Sequence, residues 1–456
     1  MEEVKQVSNL EELTIKRIYR RIMPFLILLF IMAFLDRINI GFAAIHMNDA
    51  IGITQTIFGL AAGVFFLGYF IAEVPSNIML HHFGARIWIA RIMITWGIIA
   101  GLMGFIQSGT QLIILRFLLG IAEAGFFPGV IFYLTLWFPK KYRARVFSTF
   151  FLGVPISQMI GAPVSVGLIE FGNSIGIEGW RLMYVLEAIP SIILGFICLA
   201  YLTNNPSEAK WLTHEQREWL VSTLKREEKE KQESQPSLSK GEMIKQVFKN
   251  PIVWLMALIY FGITSGSNAM NYFLPSVIES FRNTFGVEIS LLQNGLITAI
   301  PYAFAAVGMI LWSRRSDQKQ ERHKHAAFAA LVAAIAIAIT LMINQPWAIV
   351  LGFIFLAVGV YSAINVFWTI PGQTLSGVGA AAGIGLINSI GNLSGFTGPY
   401  LTGYLYTTTG NYTVAFLVIA GFVALGGLGL LLLYKLTANS VKESSIIDSQ
   451  SVSQIK

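Results

Sequence analysis

The sequence predicts an all-α membrane protein with twelve transmembrane helices in two six-helix bundles, and three observations lead to this fold class. The 456 residues are 55% hydrophobic and only 12% charged, whereas soluble domains carry about 25% charged residues. Apolar stretches of the roughly 20 residues needed to cross a bilayer recur along the chain, and a charged segment divides them into two sets of six. Basic residues collect in alternate connections, as is typical of a chain that crosses a membrane repeatedly.

The apolar stretches define the predicted spans in order. They cover residues 22–45, 56–80, 86–107, 109–136, 144–170, 181–202, 251–279, 289–313, 324–343, 347–371, 378–406 and 412–435. The runs 109–136 and 378–406 are rich in Gly and contain or adjoin Pro, which favours a kink in each of them.

The composition along the chain predicts five parts. They are an N-terminal segment 1–21, a six-helix bundle 22–202, a charged linker 203–250, a second six-helix bundle 251–436 and a tail 437–456. The even-numbered connections carry most of the Lys and Arg, so the positive-inside rule predicts that both termini and the linker are cytoplasmic. The net charge of +7 is therefore a topology signal, and it does not indicate a nucleic-acid partner.

Two pairs of oppositely charged side chains fall within the first and fourth predicted spans. Asp36 and Arg37 are adjacent in the first span, and Arg116 and Glu123 are seven residues, or two helical turns, apart in the fourth. A charge at the centre of a spanning helix costs about 2.5–3.5 kcal/mol on insertion scales, so these residues form either structural salt bridges or a functional site. The functional interpretation is that the arginines bind an anion through their guanidinium forks, while the carboxylates exchange protons.

Uncharged polar residues within the spans extend this candidate site. Tyr69 on the second span either donates to the substrate or is an interface aromatic, and Glu73, one turn further on, is assigned a gating or structural role. Polar side chains at membrane depth either bond a neighbouring helix or face a cavity. The remaining substrate-binding candidates of this kind are Gln158, Asn271, Tyr272, Asn388 and Asn392.

The sequence indicates no cofactor, no metal site and no enzymatic reaction. Its six histidines fall in or beside loops and lack metal-ligand spacing. The sequence also lacks the Gly-rich loop followed by Lys-Ser/Thr that is typical of proteins that hydrolyse ATP. A membrane enzyme should offer a nucleophile or a metal cluster at one membrane face, and a sensor should carry a sizeable output domain. The linker of fewer than fifty residues is too short for such a domain.

Three motifs resemble a known family of transporters. The runs FLDRINIGFAA, GYFIAEVPSNIMLHHFGARIWIARIMITWG and RFLLGIAEAGFFPGVIFYLTLWFP are similar to the anion:cation symporter family of the major facilitator superfamily, nearest to its bacterial tartrate and 4-hydroxyphenylacetate permeases. The resemblance implies the major facilitator fold, alternating access and proton-coupled uptake of organic anions. The family's acid-base pair on the first helix matches Asp36 and Arg37, its fourth-helix pair matches Arg116 and Glu123, and its second-helix tyrosine matches Tyr69.

The connection between the second and third spans departs from the superfamily's usual pattern, Gly-x-x-x-Asp-Arg-x-Gly. Asn77 replaces the first glycine and His81-His82 replace the Asp-Arg pair, although Gly84 is kept. The equivalent region of the second half keeps Asp317, which is assigned a gating or structural role.

Together these observations predict a symporter of the inner (plasma) membrane. Its partners are expected to be the lipid bilayer, protons and a small organic anion such as tartrate, a sugar acid or an aromatic carboxylate, and its expected oligomeric state is a monomer. An organic anion exchanger or uniporter with the same cavity is the alternative within transport. A membrane sensor or enzyme is the alternative of another class.

Overall fold

The structure is a computed structural model that describes residues 2–151, 153–233, 245, 248–343, 345–371 and 378–453. The described residues form helices and their connections, and they contain no strand. Within them, eleven helical segments are long and apolar enough to cross a membrane. The prediction of an all-α membrane protein is therefore confirmed.

The helices are numbered here in chain order. Those of the first half are α1 (Glu2–Ala50), α2 (Gln55–Phe83), α3 (Ala85–Leu102), α4 (Gly109–Glu123), α5 (Phe126–Trp137), α6 (Lys140–Phe151), α7 (Gly153–Ser174), α8 (Gly179–Tyr201) and α9 (His214–Glu233). Those of the second half are α10 (Pro251–Glu279), α11 (Phe281–Phe285), α12 (Leu291–Lys319), α13 (Arg322–Ile343), α14 (Pro346–Phe367), α15 (Val378–Asn392), α16 (Ser394–Thr409) and α17 (Tyr412–Ser453). The predicted tail thus begins inside α17.

The predicted span 378–406 consists of two helices. α15 and α16 meet at Leu393, whose backbone remains helical with φ −63° and ψ −20°. Side chains of α10 hold this junction, since Thr264 Oγ1 lies 2.8 Å from Ser394 Oγ and Asn268 Nδ2 donates to the same oxygen at 3.0 Å. Each piece alone is shorter than a membrane span. Placed end to end, the two helices occupy the predicted eleventh span, which is the one that the eleven long helical segments leave out.

The predicted span 109–136 is divided as well. α4 and α5 are separated by Ala124 and Gly125, and Gly125 has a φ of +86°, a left-handed conformation that suits glycine. Ser76 Oγ of α2 donates to the carbonyl oxygen of Ala124 at 2.6 Å, which provides a partner for a backbone group that lipid could not satisfy. This break fixes the end of α4, where Glu123 lies.

The chain forms two compact units, residues 1–235 with 288–299 and residues 236–287 with 300–456. In the first unit, α2 packs on α4, α3 packs on α8, and α1 packs on both α7 and α8. In the second unit, α13 packs on α14 and α17, while α10 packs on α15, α16 and α17. The helices that carry the predicted ionisable residues, α1 and α4, both belong to the first unit.

The linker helix α9 contacts the start of α6. Both carboxylate oxygens of Glu227 accept from the backbone N–H of Lys140, at 2.9 and 3.1 Å, and Arg143 Nη2 donates to Oε2 at 3.3 Å. Lys140 is the first residue of α6. Glu227 therefore caps the N-terminus of a helix from a distant part of the chain, where a negative charge is favourable.

We expect Glu227→Ala to lower the stability of the first unit by about 1 kcal/mol, the usual cost of losing a helix cap. The measurement is thermal unfolding of the purified protein in detergent. Glu230→Ala is the matched control on the same helix, because Glu230 lies 4.0 Å from Arg226 and both side chains are largely exposed, so this pair contributes little. Equal melting temperatures for the two variants would contradict the capping role.

Candidate functional site

Two of the predicted ionisable residues form an ion pair inside the first unit. Arg37 Nη2 donates to Glu123 Oε1, which joins the C-terminal third of α1 to the C-terminal end of α4. The Glu123 side chain is 4% exposed and that of Arg37 is 19% exposed. The attraction between these charges is strong because little water screens it.

Aromatic rings surround the guanidinium group of Arg37. Its Cζ lies 4.9 Å from the ring centroid of Phe34, 5.1 Å from that of Phe65, 5.9 Å from that of Tyr69 and 6.0 Å from that of Phe66. Ring faces attract a cation through their quadrupole, so these side chains stabilise the charge of Arg37. Tyr69, a predicted site residue, is therefore a neighbour of Arg37 in the structure.

Arg116 belongs to the same cluster. It is fully buried, its Nε donates to the carbonyl oxygen of Ala61 at 3.4 Å, and its Cζ lies 4.9 Å from the ring centroid of Phe65. Arg116 lies two helical turns before Glu123, on the same face of α4. We call Arg37, Arg116 and Glu123 the arginine cluster, and with Glu123 ionised its formal charge is +1, from two cations and one anion.

Asp36 lies outside the arginine cluster, although it is adjacent to Arg37 in the sequence. Its Oδ2 accepts from Trp96 Nε1 and from Ser191 Oγ, both at 2.9 Å, and the residue is 2% exposed. Successive residues of an α-helix point about 100° apart, so Asp36 faces α3 and α8 while Arg37 faces α2 and α4. The sequence did not indicate these two partners.

A further buried carboxyl, that of Glu187 on α8, was not among the predicted site residues. Its Oε2 accepts from Asn39 Nδ2 at 2.7 Å and its Oε1 accepts from Ser165 Oγ at 2.6 Å. Glu187 is 4% exposed, and both of its partners are fully buried. The signal that could have identified it is the general one, since a carboxyl inside a predicted span is a functional candidate by default.

The other predicted residues of the first unit take two positions. Gln158 is fully buried on α7. Glu73 is half-buried on α2, one turn after Tyr69.

In the second unit, Asn271 is the centre of a polar contact. Its Oδ1 accepts from Tyr302 OH at 3.0 Å and from Tyr361 OH at 3.2 Å, so α10, α12 and α14 meet there. Tyr272 beside it is 1% exposed. The two tyrosines were not predicted, although a tyrosine inside an apolar span needs a partner for its hydroxyl group.

The remaining candidates of the second unit are Asn388, Asn392 and Asp317. Asn388 and Asn392 are half-buried on α15. Asp317 Oδ1 lies 3.3 Å from Arg322 Nη2, which joins the end of α12 to the start of α13, and its side chain is 64% exposed. In the described part of the chain, no group of three or more His, Cys, Asp or Glu side chains is suited to a metal ion.

The arginine cluster is suited to binding an anion. A buried charge is costly unless an opposite charge accompanies it, and here Arg37 is paired with the buried carboxylate of Glu123. A proton on Glu123 would raise the formal charge of the cluster from +1 to +2. The cluster can therefore attract an anion, and it does so more strongly when Glu123 holds a proton.

Comparison with known proteins gives a consistent family. The sequence model of the Major Facilitator Superfamily matches residues 26–399. A protein of Agrobacterium vitis named "Putative tartrate transporter" is 43% identical over 426 residues, which are 93% of this chain and 96% of that protein. A protein of Acinetobacter baumannii named "Quinolone resistance transporter" is 36% identical over 403 residues, which are 88% of this chain and 91% of that protein.

Solved structures show the same fold. The crystal structure of a bacterial homolog to the human lysosomal transporter Spinster, inward-facing and occupied, matches with a TM-score of 0.71. The match covers 92% of this chain and 97% of that chain at 18% identity. At this identity the likeness establishes the architecture of the chain and leaves its substrate open.

Proposed function

Because the chain belongs to the Major Facilitator Superfamily, we propose that it is a symporter that takes up a small carboxylate anion together with protons by alternating access. Like its family and relatives, the chain is a multi-pass membrane transporter and not an enzyme. The proposal adds three things to this: the direction of transport, the coupling to protons and the carboxylate class of the substrate.

One observation carries the proposal, the buried ion pair between Arg37 and Glu123. While Glu123 is ionised, its carboxylate is the counter-charge of Arg37. A proton on Glu123 removes that counter-charge, and the guanidinium group then gains most from binding the carboxylate of a substrate. Proton and anion therefore each favour the binding of the other, and this reciprocity is what a symporter requires.

The chemistry of the cluster favours a dicarboxylate of the tartrate class. Arg37 and Arg116 offer two guanidinium groups, and each can bind one carboxylate. The Agrobacterium vitis relative is named for tartrate. We assign further substrate contacts to Tyr69, Gln158, Asn271, Tyr272, Asn388 and Asn392. Asp36 is proposed as a second proton carrier, while Glu73 and Asp317 serve gating or structural roles.

The proposal also covers the membrane, the orientation and the oligomeric state of the transporter. The basic residues of the even-numbered connections favour an inner (plasma) membrane protein with both termini and the linker on the cytoplasmic side. We further propose that the monomer is the transporting unit, with the six-helix bundles 22–202 and 251–436 as its two moving parts.

The test is uptake of radiolabelled tartrate into proteoliposomes, with and without an inward proton gradient. We expect the wild-type protein to accumulate tartrate only with the gradient. Glu123→Gln keeps the shape of the side chain but cannot exchange a proton, so it should lose accumulation driven by the gradient and retain counterflow between labelled and unlabelled tartrate. Asp49→Asn, an exposed residue at the end of α1, is the matched control and should behave like the wild type.

Two results would overturn the proposal. Full gradient-driven accumulation in Glu123→Gln would remove Glu123 from the coupling. Counterflow that persists in the wild type with undiminished net flux after the gradient is collapsed would identify an exchanger or a uniporter. Uptake of aliphatic, sugar-derived and aromatic acids in the same vesicles would determine the substrate class.

A further inference from the structure

A second polar group is buried in the first unit beside the arginine cluster. It consists of Asp36 and Asn39 on α1, Ser165 on α7, and Glu187 and Ser191 on α8, and we call it the carboxyl seam. Asp36 Oδ2 accepts from Ser191, while Glu187 accepts from Asn39 and Ser165 at 2.7 and 2.6 Å. All five residues are at most 4% exposed.

The charges around the carboxyl seam are unfavourable for two ionised carboxylates. Among the described residues, no ion pair joins Asp36 or Glu187 to a Lys, Arg or His side chain. The negative charge of Asp36 acts on Glu187, and that of Glu123 acts on Asp36. A buried carboxylate without a cation is costly, and a second one nearby adds repulsion.

The hydrogen bonds of the carboxyl seam leave two oxygens without a donor. Asp36 Oδ1 and Asn39 Oδ1 are buried, and no described group donates to either. The two residues are three apart on α1, so their side chains are neighbours on one face of the helix. The amino group of Asn39 donates to Glu187. The amide oxygen of Asn39 is therefore the atom that remains to accept from another group. A proton on Asp36 Oδ1 would donate to Asn39 Oδ1, so that neither oxygen would lack a hydrogen-bond partner.

We propose that Asp36 and Glu187 hold one proton between them, with the amide of Asn39 linking the two carboxyls. In one state Asp36 carries the proton and donates to the oxygen of Asn39, whose amino group donates to ionised Glu187. In the other state the amide group of Asn39 is flipped, so that its oxygen and its amino group have exchanged places. Glu187 then carries the proton and donates to the amide oxygen, while the amino group donates to Asp36. In each state a single proton gives both carboxyl groups and the amide oxygen of Asn39 a hydrogen-bond partner. This inference rests on the proposed proton coupling and adds Glu187 and Asn39 to it.

The proposal makes a prediction for two conservative substitutions. The amino group of a glutamine side chain can donate to the amide oxygen of Asn39 as protonated Glu187 does, so Glu187→Gln should favour the second state and leave Asp36 ionised. Asn at position 36 likewise offers an amino group, so Asp36→Asn should hold the first state and leave Glu187 ionised. Either substitution alone should therefore remove the one protonated carboxyl of the seam. If the two carboxyls did not share a proton, each substitution should remove only the proton of the residue that it replaces.

The measurement is infrared spectroscopy of the purified full-length protein in detergent, without substrate, over a range of pH. The readout is the C=O stretching band of protonated carboxyls. We expect Glu187→Gln and Asp36→Asn each to remove the same band, with an area equal to one carboxyl, and the double variant to remove no more. Glu178→Gln is the control, since that residue pairs with Arg181 at the start of α8 and is half-exposed, and it should leave the band in place.

Three results would overturn the proposal. They are a band that survives both single substitutions, two distinct bands that each disappear in one variant, and loss of the wild-type band on adding Na⁺ at constant pH, which would identify a metal cation site. If Glu187→Gln does not fold, Ser165→Ala provides the test, because it keeps both carboxyls and removes one donor to Glu187. We expect it to shift the frequency of the same band, and an unchanged band would count against the shared proton.

Transport measurements distinguish a failure of the proposed function from a failure of this inference. If wild-type uptake does not depend on the proton gradient, the proposed function fails, while the infrared bands still decide whether the two carboxyls share a proton. If wild-type uptake does depend on it, the pH profile of counterflow should change to the same extent in Glu187→Gln and Asp36→Asn. A profile changed only in Asp36→Asn would remove Glu187 from the coupling.

Discussion

Arg37→Met is expected to destabilise the protein by about 3–5 kcal/mol, because it removes the cation that donates to the buried carboxylate of Glu123. The Glu123 side chain is 4% exposed, so water cannot replace the lost partner. Met retains much of the contact that the arginine makes with the rings of Phe34 and Phe65, which limits the change to the charge. The measurement is equilibrium unfolding in detergent at neutral and at acid pH.

The double variant Arg37→Met/Glu123→Gln tests the physical reason for this loss. It removes both charges, so it should recover most of the stability that Arg37→Met loses, since replacing a buried pair entirely is often nearly neutral. The loss in Arg37→Met should also be smaller in acid, where Glu123 can take up a proton. A double variant as unstable as the single one would mean that Arg37 acts through packing and not through its charge.

The fold was predictable from the sequence because the membrane imposes it. Apolar runs long enough to span a bilayer must form helices whose backbone groups bond internally, so the number and order of the spans follow from their lengths. The kinks in 109–136 and 378–406 were also predictable, because Gly and Pro weaken a helix. Their positions at Gly125 and Leu393 were not predictable, since side chains from other helices stabilise both breaks.

The arginine cluster was predictable in its members but not in its pairing. Charges are rare inside spans, so Arg37, Arg116 and Glu123 stand out in the sequence. Which carboxylate meets which arginine depends on the rotation of each helix about its axis, and packing sets that rotation. Asp36 and Arg37 are adjacent in the sequence, yet one contacts Trp96 and the other contacts Glu123.

The contact between α2 and α4 leads to the second large expected effect. A Cβ added to Gly120 would lie 2.0 Å from the carbonyl oxygen of Phe65 and 2.9 Å from the backbone nitrogen of Tyr69. Backbone atoms cannot rotate away, so Gly120→Ala must push the two helices apart. We expect a loss of about 1–3 kcal/mol in stability. We also expect a strong loss of the proposed tartrate uptake, because the displaced rings of Phe65 and Tyr69 flank Arg37.

Gly167→Ala is the matched control, because Gly167 also lies within a membrane helix but has open space around its would-be Cβ. There the extra methyl group should be neutral or should raise stability by up to about 1 kcal/mol, since alanine favours the helix over glycine. If Gly120→Ala were as stable and as active as Gly167→Ala, the spacing of α2 and α4 could not be what holds the aromatic rings against Arg37. A loss confined to Gly120→Ala would instead tie the anion site to the close approach of these two helices.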